Sequence, residues 1–174
     1  LKNIPLILDQ GNNYGKSTIG ENKKALVEFV SANPTGPLTI GHGRGAIIGE
    51  FASRILEWNG YTVEREYYFN NAGRQMRMLA ESVYSRYQEK LNQDFEFPED
   101  GYQGKYIYDI AQDLINAYSD KYANSNSHDF IKDYSEKKIF EEIKNTLEKI
   151  GIVFDNFFNE KELYKNKAIY MITD

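Results

Sequence analysis

The sequence predicts an α/β fold in which one βαβ unit carries a mostly helical segment. Three observations lead there. Leu26-Val27-Glu28-Phe29-Val30 is a short apolar run of the kind that forms a buried parallel strand. From Gly43 to Asn59 the apolar residues Ile47, Ile48, Phe51, Ala52, Ile55 and Leu56 recur at three and four positions, and Gly60 stands where such a helix would end. Thr62 to Phe69 then reads as a second strand, so the three make a βαβ unit, right-handed in nearly all known cases.

The flanks differ in texture. Residues 1–24 mix a short apolar patch (Ile4, Leu6, Ile7, Leu8) with a loop rich in Gly, Asn and Ser, and read as a lead-in from something upstream. Beyond Asn71 helical periodicity appears in Met76–Leu91, Ile107–Tyr122 and Ile139–Ile150. A turn-rich acidic stretch, Pro98 to Tyr102, separates the first two, and Asn124–Asp129 is a polar loop. The expected organisation is a lead-in over residues 1–24, half of an α/β core over 25–75, and a mostly helical insertion over 76–174 that re-enters the core near its end in one reading. The chain begins at Leu1 and stops just after an apolar run, which reads as an excised piece.

Composition narrows the function. With 41% hydrophobic residues a packed core is within reach, which argues against disorder. The net charge of −5 carries no whole-chain sign of nucleic-acid binding, and no DNA partner is expected. The distribution says more. Residues 1–90 hold 11 basic and 9 acidic groups, residues 91–174 hold 10 and 17, and all six arginines fall between Arg44 and Arg86. Arginine presents a planar fork of donors suited to phosphate and carboxylate, so the clustering hints at an anion-handling region; ordinary solvated helix positions explain any single one equally well. The chain has no cysteine, which removes disulfides, thiolate zinc sites and cysteine nucleophiles and suits a cytoplasmic protein. No apolar run approaches the roughly 20 residues needed to span a bilayer, and no signal-peptide pattern is present, so no membrane partner is expected.

The informative stretch is Pro37-Leu38-Thr39-Ile40-Gly41-His42-Gly43-Arg44-Gly45, between the first strand and its helix. In open α/β sheets ligands bind beyond the carboxyl ends of the strands, and the free N–H groups and dipole of the following helix favour an anion. Glycine costs about 1 kcal/mol relative to alanine inside a helix, so Gly43, Gly45 and Gly49 are a poor choice for helix stability alone. Close packing against a strand would explain one or two of them; access for a nucleotide explains the cluster better. His42, one of only two histidines, can donate to a bound phosphate or merely cap the helix. The other, His128, reads as a solvated loop residue. Neither belongs to a metal-ligand constellation. Glu28, a charge in an apolar strand, is open to two readings: a partner for a cationic ligand, or a group that faces solvent or pairs with Lys24 or Arg65.

The run from Val27 to Ala46, with Ser31-Ala32-Asn33-Pro34-Thr35-Gly36-Pro37 leading into Thr39-Ile40-Gly41-His42, resembles the start of the class I aminoacyl-tRNA synthetase core, and more narrowly that of the bacterial arginyl-tRNA synthetases. Tyr67-Tyr68-Phe69-Asn70-Asn71-Ala72-Gly73-Arg74-Gln75 resembles the same family's second-strand exit, and Pro98 to Ile107 its connective insertion. The resemblance runs with few breaks from about Gly15 to Leu163. It implies a Rossmann-like, HIGH-type nucleotide-binding core, of which this is the first βαβ half. It also implies two-step ligation of arginine to its tRNA: ATP and arginine form arginyl-adenylate, and the tRNA ribose then takes the arginyl group. Magnesium would accompany ATP, and no zinc is expected.

By position, Thr39 and His42 hold the first and last places of the HIGH motif, implying ATP-phosphate binding and transition-state stabilisation. Pro34, Gly41, His42, Gly43 and Arg44 fall in the ATP-binding turn. Glu28, Ser31, Asn33 and Gln75 fall in the arginine pocket. The departures are Thr39, where arginyl enzymes commonly have histidine, and Asn71, where relatives often have aspartate. Tyr170 and Asp174 align with the arginine pocket only if residues are missing before them. No lysine-rich KMSK-like loop is visible. Two rivals remain. A stand-alone HIGH-type nucleotidyltransferase shares the loop but generally lacks the long helical insertion. A non-catalytic synthetase-like tRNA-binding module would fit the absent loop.

Overall fold

The computed structural model describes residues 3–123 and 128–165. Strand β1 (Lys24–Glu28), helix α2 (Ile40–Trp58) and strand β2 (Thr62–Phe69) form the expected βαβ unit, following a short helix α1 (Ile4–Gln10). β1 and β2 pair in parallel with Glu28 beside Glu66. A strand that the sequence pattern does not announce, β3 (Asn156–Asn159), adds to the other side of β2, also in parallel, with Phe157 beside Tyr67. The order is therefore β1-β2-β3.

Helix α2 starts a turn earlier than its apolar periodicity, because Thr39 supplies the N-cap. It ends as expected: Asn59 Nδ2 donates to the Ile55 carbonyl at 2.8 Å, and Gly60 takes φ 87°, a left-handed conformation in which glycine has no Cβ penalty. Between β2 and β3 lie α3 (Gly73–Lys90), α4 (Lys105–Tyr118) and α5 (His128–Lys149). They pack on one another through buried Leu79, Val83, Tyr87, Leu114, Ile139 and Ile143. α4 stops short of Tyr122 because Ser119 turns to φ 52°. α5 begins well before Ile139, so His128 is no free loop residue: it opens the helix with its ring 4.6 Å from that of Tyr84.

Strand alternation assigns the two sheet faces. Arg65, Tyr67 and Phe69 share one. α2 covers its Arg65 end, where the guanidinium reaches Glu50 at 2.8 Å and Glu57 at 2.7 Å. Those two bonds, Glu57's first, raise the Arg65 pKa above its ordinary value. Burial pushes the Glu50 carboxyl up, but hydrogen bonds from Arg65 and Arg54 hold it below its ordinary value. α5 covers the other end through Phe140, whose ring centroid lies 4.5 Å from that of Phe69.

The opposite face, with Leu26, Glu28, Glu64 and Tyr68, has no covering layer among the described residues. The expectation of a buried strand therefore fails for β1, whose Leu26 is 59% exposed. The outward side of α2 is bare as well: Ile47, Ile48, Phe51 and Ile55 are 46–65% exposed. α1 buries no residue. The segment after it docks on the end of α2, where the Trp58 indole donates to the Tyr14 carbonyl at 3.3 Å and Ser17 to Asn59 at 2.7 Å. Tyr170 and Asp174 lie outside the described residues.

Candidate active site

The sequence-predicted residues gather where β1 and β2 end. The chain leaves β1 through two consecutive non-glycine residues at positive φ, Val30 at 67° and Ser31 at 47°. A β-branched residue there is costly, on the order of 1–2 kcal/mol, so the surroundings must enforce the bend. Three contacts do so. The Ser31 amide donates to the Phe29 carbonyl at 3.0 Å, and the Ser31 hydroxyl donates to Glu28 while accepting the Tyr68 amide at 3.2 Å. One residue on, the Tyr67 phenol grips Ala32, donating to its carbonyl at 2.8 Å and accepting its amide at 3.2 Å. Burial pushes that phenol up to about 12, so it stays protonated as the clamp requires.

Glu28 and Ser31 are thus brought together. The Glu28 carboxylate pairs with neither Lys24 nor Arg65 among the described residues; the register places Arg65 beside Val27, on the opposite face. Asn33 and Gln75 also meet. The Asn33 amide nitrogen donates to Gln75 Oε1 at 2.9 Å, and its oxygen accepts the Asn70 amide at 3.0 Å, tying the loop after β1 to the exit of β2. Pro34 is buried beneath them. Asn71 turns inward instead: its Nδ2 donates to Glu136 of α5 at 2.5 Å, and its buried Oδ1 has no hydrogen-bond partner among the described residues.

The rest of the loop leads into α2. Thr39 and His42 form a reciprocal cap: the His42 amide donates weakly to Thr39 Oγ1 (3.5 Å), and the Thr39 amide donates to His42 Nδ1 (3.1 Å). His42 thus caps α2 through Nδ1. The glycines divide. A Cβ on Gly49 would sit 2.2 Å from Phe29, which makes that glycine a packing requirement, whereas a Cβ on Gly43 or Gly45 would meet nothing within 4 Å, and one on Gly41 only the Thr39 hydroxyl at 3.6 Å. Packing among the described residues explains Gly49 and gives no reason for the other three. Arg44 is exposed and joins no ion pair among the described residues. The whole forms an open shelf, with Glu28, Thr39, Gly41, Arg44 and Gln75 all exposed.

Two residues in the site's support have no local sequence signal. Tyr67 is one. The other is Tyr106, at the start of α4, whose phenol donates to the Thr35 carbonyl at 2.8 Å and whose ring lies 3.0–3.5 Å from where a Cβ on Gly36 would stand. Its pKa is pushed by burial to about 12. A recess of about 450 Å³ lined by Tyr118, Phe130 and Tyr134 contains none of these groups.

Residues 3–170 match the family described as tRNA synthetases class I (R), catalytic domain. The arginine–tRNA ligase of Desulfotalea psychrophila is 53% identical over 163 residues, covering 94% of this chain and 30% of the relative; that of Chlorobaculum parvum is 54% identical over 159 residues, covering 91% and 29%. The chain thus spans about 30% of the length of these curated relatives. An arginyl-tRNA synthetase structure from Campylobacter jejuni superposes with a TM-score of 0.81 at 34% identity, over 92% of this chain and 36% of that one. The Thermus thermophilus arginyl-tRNA synthetase shares the fold, with a TM-score of 0.53 at 19% identity over 87% of this chain and 26% of that one. This chain belongs to the class I arginyl-tRNA synthetase family and represents part of its catalytic domain.

Proposed function

We propose that the protein to which this chain belongs activates arginine with ATP and transfers it to tRNA(Arg), in the cytoplasm. Residues 25–75 supply the first half of the nucleotide-binding core, residues 1–24 lead into it, and residues 76–174 make up a mostly helical connective insertion that returns to the sheet at β3. The observation that carries the reading is the convergence, at the carboxyl ends of β1 and β2, of a Glu28–Ser31 pair, an Asn33–Gln75 pair and a histidine at the head of α2.

In this reading Glu28 receives the guanidinium of arginine, for which a carboxylate with free lone pairs is the natural partner. Ser31 orients Glu28, while Asn33 and Gln75 fix the main-chain end of the substrate. Gly41, Gly43 and Arg44 admit the nucleotide along the N-terminus of α2, where the helix dipole and free amides favour phosphate. The His42 imidazole donates to charge developing at the α-phosphate as the arginine carboxylate attacks in line and pyrophosphate leaves. Magnesium would arrive with ATP, held mainly by its phosphates. No helix among the described residues is long and apolar enough to cross a membrane.

Arginine-dependent ATP–pyrophosphate exchange by the full-length protein, with and without tRNA, tests the proposal. Exchange specific to arginine is expected. His42→Ala should lower kcat about a hundredfold, as loss of a transition-state donor does. Glu28→Gln should raise KM for arginine about tenfold, as loss of a charge-assisted bond does. Absence of exchange with any amino acid, even with tRNA present, would favour the binding-module alternative.

A further inference from the structure

We propose that Tyr106, on the connective insertion, is a positioning residue that holds Asn33 in place for the main-chain end of the arginine substrate. The inference rests on the arginine-activating reading above, in which Asn33 and Gln75 fix that end. The tie runs through three residues. The Tyr106 phenol donates to the Thr35 carbonyl at 2.8 Å. The Thr35 amide donates in turn to the Asn33 carbonyl at 2.7 Å, closing a three-residue turn centred on Pro34. Proline locks φ, and Pro34 is fully buried, so Asn33, Pro34 and Thr35 move as one piece. The Asn33 side chain then bonds Gln75 through Nδ2 and the Asn70 amide through Oδ1. Among the described residues each end keeps one further bond: an N–H for the substrate carboxylate and a lone pair for its ammonium.

Packing alone does not call for the Tyr106 hydroxyl. The ring lies between two glycine backbones: a Cβ on Gly36 would stand 3.0 Å from the phenol oxygen, and one on Gly104 would stand 2.7 Å from Cδ1. Phenylalanine would fill that slot as well. Nor does docking of the insertion depend on the hydroxyl, because α5 already packs on the sheet through Phe140, whose ring meets those of Tyr67 and Phe69. What the oxygen adds is its bond to the Thr35 carbonyl. The insertion holds the exit of β2 in a similar way, through the bond from Asn71 to Glu136 of α5. Both loops that carry the Asn33–Gln75 pair are therefore anchored from the insertion.

Tyr106→Phe in the full-length protein keeps the ring and removes the tie, and arginine-dependent ATP–pyrophosphate exchange reads the result. KM for arginine is expected to rise about fivefold, the scale of one net hydrogen bond, with KM for ATP unchanged. In the Asn33→Ala background the same substitution should cause no further rise, since Tyr106 acts through Asn33. An equal rise in both backgrounds, a matching rise in KM for ATP, or no rise at all would overturn the proposal. If the wild-type protein shows no exchange with any amino acid, the functional reading fails. Hydrogen exchange of the Thr35 and Asn70 amides, both bonded to Asn33, then judges the tie by itself. Faster exchange of both in Tyr106→Phe upholds it, and unchanged exchange at either refutes it.

Discussion

Replacing Gly49 with valine is expected to destabilise the protein by about 3 kcal/mol or more, at the upper end of what overpacking costs. A Cβ at this position would stand 2.2 Å from Cγ, 2.5 Å from Cβ and 2.6 Å from Cδ2 of Phe29. Phe29 has nowhere to go: it is 8% exposed, and its ring centroid lies 4.5 Å from that of Phe154. Relief must come from lifting α2 off the strand, which also disturbs the half-buried Glu50–Arg65 pair one residue along. Gly43→Ala is the matched control. Its new methyl meets nothing within 4 Å, so the helix should gain up to about 1 kcal/mol. Urea denaturation of the two variants and the parent settles the matter. A Gly49→Val protein as stable as the parent would mean that α2 does not cross β1 as closely as described.

Tyr67→Phe should cost about 3 kcal/mol while removing a single oxygen. The phenol is fully buried and satisfies both the amide and the carbonyl of Ala32. Deleting it leaves two backbone groups without partners, and each orphaned group costs about 1–3 kcal/mol. The loss falls on the loop that holds Val30 and Ser31 in the left-handed region, so the arginine end of the site should loosen along with the fold. Thermal unfolding measures the first effect, and KM for arginine in the exchange assay measures the second. A variant with an unchanged melting temperature would contradict the two hydrogen bonds to Ala32.

How much of this was readable from the chain depends on how local the signal is. α2 and β2 follow from side-chain spacing and were expected within a few residues. β3 was not: it is four residues long and pairs with a strand some ninety positions earlier, so no periodicity announces it. The early start of α5 is hidden for a different reason. Its first turns bury Ser135 beside Ile131, and a buried serine breaks the apolar pattern that periodicity detects. Glu28 was visible as an oddity in an apolar run, but its bond to Ser31 depends on a left-handed bend that neither residue type favours. Asn33 and Gln75 came from the family resemblance alone. Tyr67 and Tyr106 lie in the two stretches that carry the family resemblance, but nothing local marks their role, because what distinguishes them is the distant backbone each one holds.

The bare outward side of α2 makes a reporter of itself. Polar replacements at Ile47, Ile48, Phe51 and Ile55 are harmless to a helix that faces water, and ruinous to one that lies under another layer. The same quadruple variant, made once in the 174-residue chain and once in the full-length protein, therefore distinguishes the two situations. It should leave the melting temperature of the short chain unchanged, and a fall in that of the long one would show that a further layer covers these side chains there.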